Sequence, residues 1–528
     1  MHAIALLFTL LTNHAAQEVA LQPGAAHRYE LQLRRGESAD VVVQQKGIDV
    51  VVELRAPGGA LLDEVDGPTG RNGDERAEII ANEGGTYTIA VRPYDEHEPA
   101  GRYRIEIAEV RSVAATRALL ETRRAARDRA TDWLRAYAAP LSNPAAPLAA
   151  LAARARVIGL GEATHGSREF GDVRLALTRR LIEEHRVRVV AVEWSSSHLA
   201  ALAPYVAGES AAPAVGESGW IGRRAMRELV AMLRAWNVAH AADRVRLVGV
   251  DAQDNAVARA ELRAFLGTAY ADLLPRWNEA EKELAAADEQ SSVFGDSSVK
   301  AEVRQTLFEL VARLSLDAAV LHARYGASAD RALTAARTLA TFADYNSGAA
   351  GSRSRDWSMA DGVLRALAEA GPNARAVYWA HNAHVRTTGK TSGAFLRAAL
   401  GCGYAAIGQT FGEGSFVAQL PNDLEDRLLV STLPRAADES IESVLAPLGN
   451  DAVIAAWPCG VDAASLPEWL RAAHPLHWVG ALWTPGSVPS AATRPFDLVH
   501  DFDGVVYIPR VTADEVPTDR PHVPARKH

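Results

Sequence analysis

The amino-acid sequence predicts an α/β domain with a mainly parallel sheet and a helical cap insertion, preceded by an all-β sandwich domain. Residues 17–110 carry period-two apolar patterns broken by Gly, Pro and Asp, as short antiparallel strands do. Residues 114–528 instead alternate short apolar runs with amphipathic helical stretches, which is typical of βαβ units. A nearly continuous helical pattern at about residues 256–346 predicts the cap, which would shape a pocket over the sheet.

The composition is that of an ordinary globular protein. Of its 528 residues, 48% are hydrophobic and 23% charged, so two or more domains can each bury a core. A formal net charge of -9 offers no concentrated basic surface, and we expect no nucleic-acid partner. No apolar run is long enough to cross a bilayer, so we expect no membrane span. No pattern indicates an oligomeric state.

The first sixteen residues resemble a secretory signal peptide. They have an apolar centre from Ala3 to Leu11 followed by small residues, although His2 stands where Lys or Arg is usual. We therefore expect a periplasmic or secreted protein. Cys402 and Cys459 are the only cysteines, and the sequence leaves open whether they pair or stay as buried thiols.

Residues 17–110 are expected to form an accessory domain without chemistry. Their only cluster that combines histidine with acidic residues, Asp95 to Glu98, is typical of a solvated loop. The domain is predicted to contain six short strands with the sequences HRYELQL, ADVVVQQ, DVVVELRAP, AEIIANE, GTYTIAVRP and GRYRIEIAEV.

The α/β domain opens with a strand that ends in an acid and an imidazole. The apolar run 157–160 is broken by Gly161 and followed by Glu162 and His165. Ligands of an open α/β sheet bind at the carboxyl ends of its strands. Histidine titrates near neutrality, and a carboxylate three residues away can orient or polarise it. A capped helix with His165 as a satisfied polar group is the structural alternative.

Two later strands end in the same residue types. The apolar run 187–192 is followed by Glu193, and the run 376–379 by His381 and His384. Because parallel strands present their carboxyl ends at one edge, we expect these side chains to share one cleft with the acid and imidazole of the first strand.

Charged residues on two predicted helices lie near these strand ends. Arg174 follows His165 by nine residues and would face it, although an arginine on an amphipathic helix is usually solvated. Arg353, Arg355 and Asp356 lead into a helix at the mouth of the sheet. We predict that Arg355 binds substrate, whereas Asp356 is as well explained as a helix cap.

Six segments and one arginine occur in a fixed order along the chain: GLGEATHGSREF, Arg174, VVAVEWS, RLVGVDAQ, RDWSMADGVL, YWAHNAHV and YAAIGQTFGEGSF. With these segments the chain resembles the erythromycin esterase family. The resemblance spans roughly residue 114 to the C-terminus, and the first domain is similar to pre-peptidase C-terminal domains of secreted hydrolases. By resemblance, the family opens cyclic esters such as macrolide lactones, an antibiotic-resistance activity, without an obligatory metal or other cofactor.

These residues permit hydrolysis by activated water. The sequence has neither the G-x-S-x-G elbow of serine hydrolases nor an H-E-x-x-H zinc motif. We expect an esterase that acts on a small-molecule ester or lactone, with His165 as general base. Two alternatives are a metal-dependent hydrolase that uses the same cluster and a non-catalytic carbohydrate- or cell-surface-binding protein. The predicted catalytic residues are His165, Glu162, Glu193, His381, His384 and Arg174.

Overall fold

The computed structural model describes residues 8–10, 16–67, 69–95, 97–215, 223–253, 255–290, 299–347, 352–421, 427–487 and 489–516. Most of the predicted signal peptide lies outside these residues. The chain divides into two compact units, one formed by residues 1–129 and 486–493 and the other by residues 130–485 and 494–528. Among the described residues, no helix combines the length and apolar character needed to cross a membrane.

The first unit contains a β-sandwich. Its described strands are β1 Phe8–Leu10, β2 Ala16–Leu21, β3 His27–Leu33, β4 Ser38–Lys46, β5 Val50–Arg55, β6 Leu61–Val65, β7 Asp74–Ile80, β8 Gly85–Pro93 and β9 Gly101–Arg111. They form sheets of order β1-β3-β8-β5-β6 and β2-β9-β4-β7, antiparallel except for the β1–β3 pair. Val43, Val52, Ile89 and Ile105, from both sheets, are fully buried in one core.

The sandwich prediction is confirmed, with three additional strands. The six predicted strands correspond to β3, β4, β5, β7, β8 and β9. Strand β6 lies at the edge of its sheet and has mostly half-buried side chains, so its sequence LLDEV lacks the alternation that marks the others.

The second unit is organised around a mixed sheet. Its described strands are β10 Ala138–Pro140, β11 Val157–Leu160, β12 Val189–Ser195, β13 Arg246–Asp251, β14 Ala376–Trp379, β15 Tyr404–Gln419, β16 Leu428–Leu433, β17 Val453–Ala456 and β20 Gly504–Val511. The order is β10-β17-β20-β15-β11-β14-β12-β13, with β16 paired to β15. Strands β20, β15, β11, β14, β12 and β13 run parallel. The central β11 and β14 are buried at every position, as expected for strands covered on both faces.

Helices cover the sheet. Strands β18 His474–His477 and β19 Thr493–Phe496 form a separate two-stranded sheet. The described α-helices are α1 Val113–Arg135, α2 Ala145–Ala152, α3 Arg168–His185, α4 Ser196–Val206, α5 Arg223–Ala239, α6 Ala256–Ala269, α7 Leu274–Gln290, α8 Ala301–Leu316, α9 Ala318–Tyr325, α10 Ala327–Tyr345, α11 Ser352–Glu369, α12 Asn382–Val385, α13 Ser392–Leu400, α14 Ile441–Leu445 and α15 Leu498–Asp501. Short 3-10 helices occupy Ala271–Leu273, Gly401–Gly403, Ala446–Leu448, Ala463–Ser465, Glu468–Arg471 and Pro489–Ala492.

Helices α6 to α10 form the predicted insertion between β13 and β14. They share a hydrophobic core of their own, in which Leu262, Leu284, Leu307 and Leu339 are fully buried. Helix α10 also packs against α4 and α11. Residues 294–298, whose sequence FGDSS is typical of a polar turn, lie outside the described residues.

The two cysteines pair in the structure. Cys402 and Cys459, 57 residues apart in sequence, form a disulfide bond. The bond links the 3-10 turn before β15 to the segment that follows β17.

Glycines on both sides of the Glu162–His165 segment allow other parts of the chain to approach it closely. A Cβ atom at Gly161 would lie 2.2 Å from Oδ1 of Asn382, and one at Gly166 would lie 1.8 Å from the carbonyl oxygen of Val417. Neither position has room for a side chain.

We expect Gly166→Ala to destabilise the protein by about 1–3 kcal/mol, because the added methyl group overpacks this contact. The matched control is Gly267→Ala in α6, where a Cβ atom meets nothing within 4 Å. Alanine is favoured over glycine in helices, so the control should be stabilised by about 0.5–1 kcal/mol. Denaturant unfolding measures both changes, and an unchanged free energy of unfolding for Gly166→Ala would contradict the close contact.

Candidate active site

The carboxyl ends of the parallel strands bring the predicted site residues together. Glu193 lies near the end of β12, and its Oε2 accepts a 2.8 Å hydrogen bond from the backbone N–H of His381, which follows β14. The rings of His165, after β11, and His381 have their centroids 5.2 Å apart. The strand ends therefore lie close together, as predicted, but the described lining of the cleft includes His165 and Glu193 and not His381 or His384. The sequence does not reveal that β14 lies between β11 and β12.

Glu162 is the buried centre of the first group. Only 4% of the residue is exposed, and its two carboxylate oxygens contact different partners. Nδ1 of His165 lies 2.8 Å from Oε1, and Nη2 of Arg174 lies 2.6 Å from Oε2. The Arg174 guanidinium also lies 4.8 Å from the ring centroid of Trp379, so the last residue of β14 supports the ion pair.

The contact with Glu162 determines which nitrogen of His165 can act as a base. A carboxylate only accepts hydrogen bonds, so Nδ1 carries the proton in this contact. The lone pair of the neutral ring is then on Nε2, for which no hydrogen-bond partner exists among the described residues. The side chain is 27% exposed, so the ring combines a buried, oriented edge with an accessible one.

Both members of this pair favour their charged forms. Burial raises the pKa of Glu162, but the charge of Arg174 and the hydrogen bond with His165 outweigh it and leave the pKa below its ordinary value. Burial lowers the pKa of His165, but the hydrogen bond and charge of Glu162, together with the charge of Glu193, outweigh it and leave the pKa above its ordinary value. Neutral His165 therefore becomes available only as pH rises through this raised pKa.

Glu193 accepts two hydrogen bonds and lies beside a histidine. Besides the His381 amide, Nη2 of Arg355 donates to Oε1 at 2.8 Å, and Nε2 of His384 lies 3.3 Å from the same oxygen. Burial alone would raise the pKa of Glu193, but the charges of His384 and Arg355 lower it well below its usual range. Glu193 is therefore a fixed negative charge.

His381 is neutral and satisfied. Its Nε2 donates to the carbonyl oxygen of Ala163 at 3.2 Å, and its Nδ1 accepts the backbone N–H of Ala383 at 3.2 Å. The edge of the Trp478 ring packs against it with centroids 4.5 Å apart. Burial, together with the charge of His165, lowers the pKa of His381 to about 3.

His384 has the opposite environment. Its Nδ1 donates to Oδ1 of Asp356 at 2.8 Å. Burial lowers the pKa of His384, but the charges of Glu193 and Asp356 outweigh it and raise the pKa above its ordinary value.

Arg355, predicted to bind substrate, lies inside this group with 8% of the residue exposed. Its Nε and Nη2 donate to the two carboxylate oxygens of Asp251, each at 2.8 Å. A role in substrate binding stays a prediction.

Asp251 and Asp356 were not among the predicted site residues. The signal for Asp251 is present in the sequence, because it ends the apolar run of β13 as Glu193 ends that of β12. The contact between Asp356 and His384, 28 residues apart, has no local signal.

A cleft of about 400 Å³, which includes open solvent, adjoins the first group. Its polar walls carry Glu162, His165, Arg174 and Glu193. Apolar and aromatic groups complete it, as in small-molecule sites: Val192, Trp194, Ala225, Met226, Trp379 and Ala380. Among the described residues, no set of three or more His, Cys, Asp or Glu side chains is arranged to hold a metal ion.

The fold and this cluster define an α/β protein with a histidine–carboxylate site at the carboxyl ends of its parallel strands. The chain belongs to the erythromycin esterase family, whose model matches residues 182–511. The match includes Glu193, Arg355, His381 and His384 and begins after the Glu162–His165 segment. Membership of this family supports hydrolase activity. A comparison with curated protein sequences returns no match.

Solved structures share the fold. A Bacillus cereus protein aligns with a TM-score of 0.59 at 20% identity, over 74% of this chain and 99% of its own. A succinoglycan biosynthesis protein gives 0.58 at 17% identity, over 75% and 99%. A mutant of the erythromycin esterase EreC in its open conformation gives 0.51 at 20% identity, over 70% and 94%.

Glu162→Gln should lower the pKa of His165, because it removes the negative charge that stabilises the imidazolium. In a histidine-labelled sample, the NMR titration midpoint of His165 should move to lower pH. The control is Glu184→Gln at the exposed end of α3, whose carboxylate pairs with Arg180. A midpoint that Glu162→Gln leaves unchanged would contradict the assigned hydrogen bond.

Proposed function

We propose that the protein hydrolyses a carboxylic ester or lactone with water activated by His165. The observation that carries the proposal is the His165 ring, whose Nδ1 is engaged by Glu162 while Nε2 has no partner among the described residues. The ring lines a cleft with two carboxylates and one guanidinium. This arrangement supports general-base catalysis, in which His165 activates water and no protein side chain acts as the nucleophile.

In the proposed reaction, Nε2 of His165 removes a proton from water as the water oxygen attacks the carbonyl carbon. The carbonyl oxygen takes up the displaced electron pair, and the tetrahedral intermediate then expels the alkoxide. The alkoxide receives the proton that His165 holds, so the base is regenerated. Glu162 and Glu193 stabilise the transient imidazolium, consistent with their effect on the pKa of His165.

We assign Arg174 to the developing oxyanion. It lines the cleft beside His165, and its position is fixed by the Glu162 carboxylate and the Trp379 ring. A fixed cation beside the carbonyl oxygen lowers the activation barrier, because negative charge develops on that oxygen in the transition state.

His381 and His384, which the sequence predicts to be catalytic, are assigned here to positioning instead. Neither is among the described residues that line the cleft. Both nitrogens of His381 are bound by backbone groups, whereas His384 contacts two carboxylates. The metal-dependent alternative would require these rings to turn away from their partners and toward a common point.

We therefore expect turnover to survive exhaustive dialysis against a metal chelator. Elemental analysis of the same preparation should find no stoichiometric metal. Loss of turnover on dialysis, with recovery when zinc is added, would favour the metal-dependent hydrolase.

The proposal specifies a class of substrate, namely carboxylic esters and lactones. A screen of the purified full chain against macrolides, simple lactones and acyl esters, with release of a carboxylic acid as the readout, tests it directly. Hydrolysis of none of these would favour the non-catalytic binding protein. The disulfide between Cys402 and Cys459 supports a periplasmic or secreted location, which cell fractionation tests.

His165→Asn should lower kcat by about 10²–10⁴-fold, the usual contribution of a general base. The melting temperature should change little, because the ring is partly exposed and its exposed nitrogen supports no other group. His322→Asn, at a histidine whose side chain is 61% exposed, is the control and should retain full turnover. Full turnover in a destabilised His165→Asn protein would remove His165 from the site.

A further inference from the structure

The two cations that contact Glu193 are each held by a carboxylate of their own. Arg355 reaches Glu193 through Nη2 at 2.8 Å and offers Nε and Nη2 to Asp251 in a two-pronged contact. His384 faces Glu193 with Nε2 at 3.3 Å and donates Nδ1 to Asp356 at 2.8 Å. Nη1 of Arg355 also lies 3.3 Å from Nε2 of His384, so the two basic side chains contact each other as well as Glu193.

The two outer carboxylates are buried. Asp251 is 4% exposed and Asp356 is 5% exposed, which is costly for carboxylates that serve only the fold. Glu193 lines the cleft, whereas neither outer carboxylate is among its described lining residues. The contacts that join Asp251 and Asp356 to the cleft run through Arg355, His384 and Glu193.

We propose that Asp251 and Asp356 are positioning residues for the hydrolysis, each fixing one of the two cations that hold Glu193 at the cleft. The inference rests on the proposed function of the site. Asp251 fixes the plane of the Arg355 guanidinium, because both carboxylate oxygens are engaged by it. Asp356 fixes the His384 ring by binding Nδ1, which directs Nε2 to Glu193.

A purely structural role is the competing explanation. Asp356 also accepts the backbone N–H of Ser392, the first residue of α13, and Asp251 accepts that of Ala252. Such anchoring would matter for stability whatever residue occupies position 193. Coupling to Glu193 therefore separates the two explanations.

A double-mutant cycle measures this coupling. Asp251→Asn and Asp356→Asn are nearly isosteric and keep an acceptor oxygen for the backbone N–H groups. Each should lower kcat by about 10–100-fold in the wild-type background, as loss of an outer hydrogen-bond partner does. In a Glu193→Gln background each should lower kcat by no more than about twofold. Equal losses in both backgrounds would overturn the proposal.

Asp361→Asn is the matched control on α11, because the Asp361 side chain is 41% exposed and pairs only with Arg365 among the described contacts. It should leave kcat unchanged in both backgrounds. A loss as large as that of Asp356→Asn would mean that charge on this helix, rather than the contact with His384, controls turnover, and would overturn the proposal.

A second measurement needs no substrate. The groups facing His384 are Asp356 and Arg355 on α11, Glu193 on β12 and, on its own segment, His381. Removing the Asp356 charge should move the NMR titration midpoint of His384 to lower pH, and Asp251→Asn should speed exchange of the Arg355 Nε–H. Unchanged signals in both variants would overturn the proposal. If the wild type hydrolyses no ester or lactone, the proposed function fails, and these signals alone decide whether the outer carboxylates fix the cations.

Discussion

The site depends on one buried carboxylate with two partners of different kinds. Glu162 joins the guanidinium of Arg174 to the imidazole of His165 within 2.6 and 2.8 Å. The first contact keeps Glu162 ionised in a buried position, and the second orients the ring and fixes its tautomer. Without Arg174, burial would favour a neutral acid, which is a weaker acceptor for Nδ1–H. The basicity of His165 is therefore set by Glu162, and the ionisation of Glu162 in turn depends on Arg174.

Glu193, like Glu162, is a carboxylate that neighbouring basic side chains keep ionised. The Glu193 carboxylate can stabilise the His165 imidazolium only while it is ionised. Burial opposes its ionisation. Arg355 and His384 offset the burial, and Asp251 and Asp356 in turn neutralise and orient these cations. Removing a single member would leave a buried charge unpaired, which typically costs about 3–5 kcal/mol. Stability and reactivity are thus coupled in this part of the molecule.

The sequence predicts the strand ends well because each carries its signal locally. An apolar run that stops at Glu193 or just before Glu162 is readable from neighbouring residues, and the parallel arrangement then implies one shared edge. Asp251 could have been found by the same rule. Contacts across helices could not, because Asp356 meets His384 only after α11 and α12 dock on the sheet. Pairing of Cys402 with Cys459 likewise depends on three-dimensional proximity that no local pattern records.

The central claim is that His165 is the general base, and its own ionisation provides the most direct test. The pH dependence of kcat/KM reports the essential groups of the free enzyme, and NMR reports the titration of the His165 ring in the same protein. We predict that the acid limb of kcat/KM and the NMR midpoint coincide, at a pH above the ordinary pKa of histidine. A kinetic limb that lies well away from the His165 midpoint would contradict the account.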